Sequence, residues 1–209
     1  MENFVDIKIN NIILKGSLNV PENAQGIVIF SHGSGSSRLS PRNRHVAEML
    51  CKKGFATLLF DLLTVEEDLE YMNRFNSDLL TKRLEIVTKW VQENESTKGL
   101  PIGYFGASTG AASALCAAAH LKNEVKTVVS RGGRPDLAEN ALQNVESPVL
   151  LIVGGNDHIV ISLNKDAMKE IRAKKELKIV PNASHLFEEP GTLDEVANLS
   201  IEWFKNELK

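Results

Sequence analysis

The chain has 209 residues, of which 43% are hydrophobic and 24% charged, and its formal net charge is −3. A chain of this length buries about 70% of its unfolded surface without a metal or disulfide staple, and it points to one domain over residues 1–209. The mild acidity excludes a protein built to neutralise nucleic-acid phosphates.

The first two apolar runs, Phe4–Ile9 and Ile12–Val20, are joined at Asn10-Asn11 and predict an antiparallel pair. Bare apolar runs follow at Gly26–Phe30, Ala56–Phe60, Pro101–Phe105, Val125–Ser130, Pro148–Val153 and Leu177–Val180. Separated by amphipathic stretches, such runs are what parallel strands covered on both faces require. Ser40 before Pro41 reads as a helix N-cap with proline at the first helical position, and Gly54 as the stop. The acidic stretch Glu66–Glu70 reads as a solvated loop, with a small flap over a cleft as the alternative. Ser77–Glu93 places Leu80, Leu84, Val87 and Val91 on one helix face. Gly110–Ala119 is small and apolar on nearly every side, so that helix must be enclosed against a sheet. The last helix opens at Thr192-Leu193-Asp194-Glu195, read as a capping box in which Glu195 reaches back to the Thr192 N–H. It should bury Val196, Trp203 and Phe204. The pattern is that of an α/β fold: an open, mostly parallel eight-stranded sheet with helices on both faces.

Cys51 and Cys116 are the only cysteines. Their separation excludes a paired-cysteine zinc site and a C-x-x-C redox motif, and neither metal nor cofactor is expected. Acids stand at Glu2 and Asp6, where a signal peptide would carry lysines. The longest run free of polar residues, Ala114–Ala119, is far short of the ~18 needed to span a bilayer. A soluble, cytoplasmic protein is expected, a monomer or homodimer with neither nucleic acid nor membrane as partner.

Gly106-Ala107-Ser108-Thr109-Gly110 matches G-x-S-x-G. The predicted strand before it and the small-residue helix after it form the setting that a nucleophile elbow needs. A serine hydroxyl is a weak nucleophile at neutral pH, so an oriented base must lie beside it. His185 follows the last strand, and Asp157 follows the strand Pro148–Val153. Both loops leave the carboxyl ends of strands, where open α/β sheets place their sites. Ser108, Asp157 and His185 are therefore the candidate catalytic residues. His158 adjoins the acid, while His45 and His120 fall in or at the ends of helices and read as structural.

An acyl-transfer site also needs donors for the developing oxyanion. The N–H of Thr109 is one candidate. The loop Ser31-His32-Gly33-Ser34-Gly35-Ser36-Ser37 supplies the other, with Ser34 preferred and Gly35 second. His32 should fix that loop. A nucleotide-binding reading of the same loop fails, because Gly33-Ser34-Gly35-Ser36-Ser37-Arg38 lacks the third glycine of G-x-G-x-x-G and no Walker lysine follows.

Taken together, His32-Gly33-Ser34-Gly35, Gly106–Gly110, Asp157 and His185 resemble the α/β-hydrolase superfamily. Ser40-Pro41-Arg42-Asn43-Arg44, Asp61-Leu62-Leu63-Thr64 and Ser130–Leu137 resemble its dienelactone hydrolase-like branch. The resemblance covers nearly the whole chain. It implies a compact fold with no large cap and a metal-free Ser–His–Asp mechanism. One departure is evident: familiar dienelactone hydrolases carry cysteine in the elbow, and this chain has Ser108.

The expected function is hydrolysis of a carboxylic ester of a small molecule through an acyl-enzyme. A thioesterase or peptidase using the same three residues, or a non-catalytic binding protein on this fold, are the alternatives. Arg38, Arg131 and Arg134 lie at the same sheet edge. They either hold a substrate carboxylate or pair with nearby acids such as Asp136.

Overall fold

The computed structural model describes residues 3–209; Met1 and Glu2, part of the acid-bearing start of the chain, lie outside it. Eight strands are β1 (Asn3–Ile9), β2 (Ile12–Asn19), β3 (Ile27–Ser31), β4 (Ala56–Phe60), β5 (Ile102–Ala107), β6 (Val125–Arg131), β7 (Val149–Gly154) and β8 (Lys175–Val180). They form one sheet in the order β1-β2-β4-β3-β5-β6-β7-β8. Only β2 runs against the others, pairing antiparallel with β1 and β4, while β3 through β8 are parallel to one another. The apolar runs locate every strand. They miss the start of β8, where Lys175-Glu176 belongs to an edge strand that is only partly buried and so carries charge without cost.

Among the described residues six α-helices follow, α1 (Pro41–Lys52), α2 (Val65–Asp68), α3 (Ser77–Glu93), α4 (Gly110–Leu121), α5 (His158–Glu170) and α6 (Thr192–Glu207), all but the unburied α2 covering the sheet. Alternate strand residues feed two cores. Ile27, Ile29, Ile102 and Tyr104 pack toward α3 and α4 with Leu80, Leu84, Val87 and Val91. Val28, Phe30 and Phe105 pack toward α1 and α6 with Val46, Leu50, Val196 and Phe204. Burying each such side chain is worth about 1.5–3 kcal/mol, so the sheet centre holding the strand ends is rigid. Helix α4 is enclosed as expected, buried at nine of its twelve positions.

Two local readings change. The capping box at α6 does not form. Gly191 at φ 80° occupies the N-cap, and the Thr192 hydroxyl turns back to donate to the Glu189 carbonyl at 2.8 Å. The left-handed glycine brings the chain into α6 at an angle that leaves Thr192 already inside the helix. The acidic stretch 66–70 is not a plain solvated loop either. Thr64 and Glu67 cap α2 reciprocally, Glu67 pairs with Arg83 at 2.5 Å, and Asp68 pairs with Arg74 at 2.8 Å. Glu67 and Asp68 are internal ties of a short excursion between β4 and α3, while Glu66 and Glu70 stay exposed. Among the described residues no helix is long and apolar enough to cross a membrane.

Candidate active site

Strand β5 ends at Ala107 and α4 begins at Gly110, so Ser108 and Thr109 make the whole turn. Ser108 is held at φ 52°, a left-handed conformation costing an ordinary residue about 1–2 kcal/mol. Its N–H donates to the Arg131 carbonyl at 3.1 Å, and its carbonyl accepts from the Arg134 N–H at 3.0 Å. The flanking glycines are sterically required. A Cβ on Gly106 would stand 2.5 Å from Ala111 Cα, and one on Gly110 would stand 2.2 Å from the Ser31 carbonyl oxygen. Strain of this kind persists where surrounding packing over-determines it.

The loop after β8 brings His185 to this turn. Its Nε2 lies 3.4 Å from Ser108 Oγ, and its Nδ1 lies 2.7 Å from Asp157 Oδ2. With Nδ1–H donating to the carboxylate, Nε2 is left as the acceptor for the Ser108 hydroxyl. Such bonds are often long in unliganded sites and tighten with substrate. Asp157 occupies the N-cap position of α5, yet its side chain caps nothing there. It turns to His185, with only 15% of its side chain exposed.

Several supports of His185 were invisible in the motif reading. Gly132, at φ 51°, packs under the histidine, where a Cβ would be 3.1 Å from the His185 carbonyl oxygen. The Ser184 N–H donates to Glu189 Oε2 at 3.0 Å, and these backbone bonds hold the Glu189 carboxyl below its ordinary pKa. Phe187, at φ 57°, is buried below the loop. Left-handed non-glycine residues leave no sequence signature, and Gly132 announces itself only as one half of a Gly132-Gly133 pair.

On the other side of Ser108, Gly33 of the loop after β3 lies so close that a Cβ would be 3.0 Å from Ser108 Cβ. His32 fixes this loop. Its Nδ1–H donates to the Gly33 carbonyl at 2.9 Å, and its Nε2 accepts from the Leu62 N–H at 3.0 Å. Burial lowers its pKa, which keeps this neutral arrangement. The Ser34 N–H, the expected oxyanion donor, already donates to Thr109 Oγ1 at 2.8 Å. Gly35 stands at φ 67°, with Arg74 Nη1 3.9 Å from where its Cβ would be. Residues 62–76 therefore flank the glycine loop.

The three arginines part company. Arg38 is tied to Asp61 through both backbone and side chain, and Arg134 makes a bidentate pair with Asp136 at 2.7–3.2 Å. Both are neutralised by neighbouring acids. Arg131 has neither expected partner: it is 6% exposed, hydrogen-bonded to Asn43 Oδ1 at 3.2 Å, and stacked on Phe187 at 5.9 Å. Burial and the nearby Arg42 push its pKa down to about 10. It ties α1, β6 and the histidine loop together. His45 and His120 pair with Asp194 and Glu85 on the surface, each at 2.6 Å; His158 is exposed. Among the described residues no group of three His, Cys, Asp or Glu side chains is placed to hold a metal ion. The groove between α3, α4 and the helical turns of Pro135–Asn144, about 740 Å³ and lined by Thr81, Glu85 and Cys116, contains none of the three candidate catalytic residues.

Comparison with known proteins identifies the fold and the family. A model of the dienelactone hydrolase family matches residues 14–206. The crystal structure of a dienelactone hydrolase from Anabaena variabilis is 53% identical, covers 100% of this chain and 99% of that one, and superposes with a TM-score of 0.97. The esterase Est1E from Butyrivibrio proteoclasticus, 17% identical over 97% of this chain and 98% of its own, shares the fold with a TM-score of 0.83. Curated proteins from two strains of Mycobacterium tuberculosis, named provisionally as phosphoribosyl transferases, are 54% identical over 204 residues. That match takes in 98% of this chain and 46% of theirs, so the chain spans about half the length of these relatives. Their name describes the longer proteins. The α/β-hydrolase fold, the family match over nearly the whole chain and the close Anabaena relative agree: this chain belongs to the dienelactone hydrolase family.

Proposed function

We propose that the chain is a serine hydrolase that cleaves a carboxylic ester of a small molecule through an acyl-enzyme. The observation carrying this reading is the continuous array Ser108 Oγ–His185 Nε2–His185 Nδ1–Asp157 Oδ2, at 3.4 and 2.7 Å, with the serine on a strained turn. His185 takes the Ser108 proton as Oγ attacks the carbonyl carbon. Asp157 holds the tautomer and steadies the imidazolium. The tetrahedral oxyanion forms beside the Thr109 N–H at the start of α4, where the helix dipole favours negative charge. His185 then protonates the leaving alcohol, and water repeats the sequence on the acyl-enzyme.

Leu186, exposed next to His185 in the chain, supports a substrate with an apolar acyl or alcohol part. The structure of Est1E with ferulic acid bound supports an aromatic acyl group as the first to try. Free Cys51 and Cys116 suit a reducing cytoplasm. A fluorophosphonate probe should label the wild type and not Ser108→Ala, and that substitution should lower ester turnover by roughly a million-fold. Ester turnover retained by Ser108→Ala would overturn the reading.

A further inference from the structure

The Ser34 N–H points at the Thr109 hydroxyl, which therefore stands where an oxyanion accepting from that N–H would stand. Thr109 has helical angles, φ −61° and ψ −26°, and its side chain caps no helix N–H. Its oxygen is committed as an acceptor to Ser34. Among the described residues nothing accepts its hydroxyl hydrogen. A hydroxyl that already accepts a hydrogen bond is polarised into a better donor. The hydroxyl and the N–H leave the same residue, immediately after the nucleophile.

We propose that Thr109 supplies two donors to the oxyanion, its N–H and its side-chain O–H, with the Ser34 N–H acting through that hydroxyl and not on the substrate. This rests on the serine hydrolase reading. No covalent step is added: the hydroxyl keeps its proton and donates a hydrogen bond as negative charge grows on the carbonyl oxygen. Ser34 is thus a positioning residue, orienting and polarising the group that touches the reacting atoms. The neutral hydroxyl is worth more to the transition state than to the ground state, because the uncharged carbonyl draws on it weakly.

The test uses Thr109→Val, which keeps the branched shape and removes the hydroxyl, Thr109→Ala as a second deletion, and Thr109→Ser, which keeps the hydroxyl. With an aryl ester as substrate, Thr109→Val and Thr109→Ala should lower kcat by about 10- to 100-fold, with KM within about twofold of wild type. Thr109→Ser should stay within about threefold. Unchanged or raised kcat in the deletions would overturn the proposal, since the freed Ser34 N–H would then be the true donor. Equal losses in Thr109→Ser and Thr109→Val would overturn it too. Ser108→Ala separates the two levels. If it is inactive while Thr109→Val is fully active, only this inference fails; if it is active, the underlying reading fails.

Discussion

Ser108 and His185 meet within hydrogen-bonding distance but are held there differently. The nucleophile sits in five consecutive residues whose glycines touch the nearest backbone, Gly106 against Ala111 and Gly110 against Ser31. The histidine rides a loop tied within itself by Glu189 bonded to the Ser184 N–H and supported from elsewhere in the chain by Gly132 beneath it, Arg131 stacked on Phe187, and Arg42 paired with Glu188 at 3.2 Å. Strain at Ser108 is locked by close backbone packing and by backbone hydrogen bonds to Arg131 and Arg134. Position at His185 is a sum of weaker, separable contacts. Damage to the elbow should therefore be all-or-none, whereas the histidine side should fail by degrees.

The strongest way to break the histidine side alone is Asp157→Asn. The elbow keeps its geometry, but the imidazole loses the partner that sets its tautomer, and kcat should fall about ten-thousand-fold. The melting temperature should move by no more than a few degrees. Loss of thermal stability in proportion to activity would show that the two sides are not separable.

Gly132→Ala probes the loop support. It puts a Cβ at φ 51° and 3.1 Å from the His185 carbonyl oxygen, costing about 1–2 kcal/mol and lowering the melting temperature by about 2–8 °C. Activity should fall about tenfold as His185 is displaced. Gly99→Ala is the control: Gly99 has φ 81° with nothing within 4 Å, so it should lose similar stability and no activity. If both variants lose activity equally, support of His185 by Gly132 is refuted.

The smallest effect lies in the loop on the nucleophile's far side. Burial lowers the His32 pKa from 6.5, so the folded state prefers neutral imidazole. Its contribution is complete above pH 6.5 and is lost as pH falls through that value toward the folded one. The urea midpoint should drop between pH 7.5 and pH 5.5, and drop less in His32→Gln. Identical pH dependence in the two proteins would contradict this.

Much of the fold was legible because burial on both faces writes each parallel strand as a bare apolar run. The edge strand β8 was read short because it is not buried that way. The elbow was legible for a related reason: strand, turn and helix are contiguous, and the required glycines lie in one motif. The caps were less so. Ser40 accepts from the Asn43 N–H at 3.4 Å as expected, while the Thr192 box was undone by the left-handed Gly191 one residue earlier. Among the arginines, the pairing of Arg134 with Asp136 was legible because the acid is two residues away, whereas Asn43 and Phe187 reach Arg131 only across the fold.

The amino-acid sequence by itself determined the α/β layering, the eight strands and the candidate residues Ser108, Asp157 and His185, since each follows from periodicity or from groups adjacent in the chain. Tertiary structure alone decided how they are held and what they face. The turning of Asp157 away from its own helix, the burial of Arg131 without a carboxylate and the seating of the Ser34 N–H on the Thr109 hydroxyl depend on distances between segments up to 88 residues apart. Such distances are set by packing, which no local pattern of residues encodes.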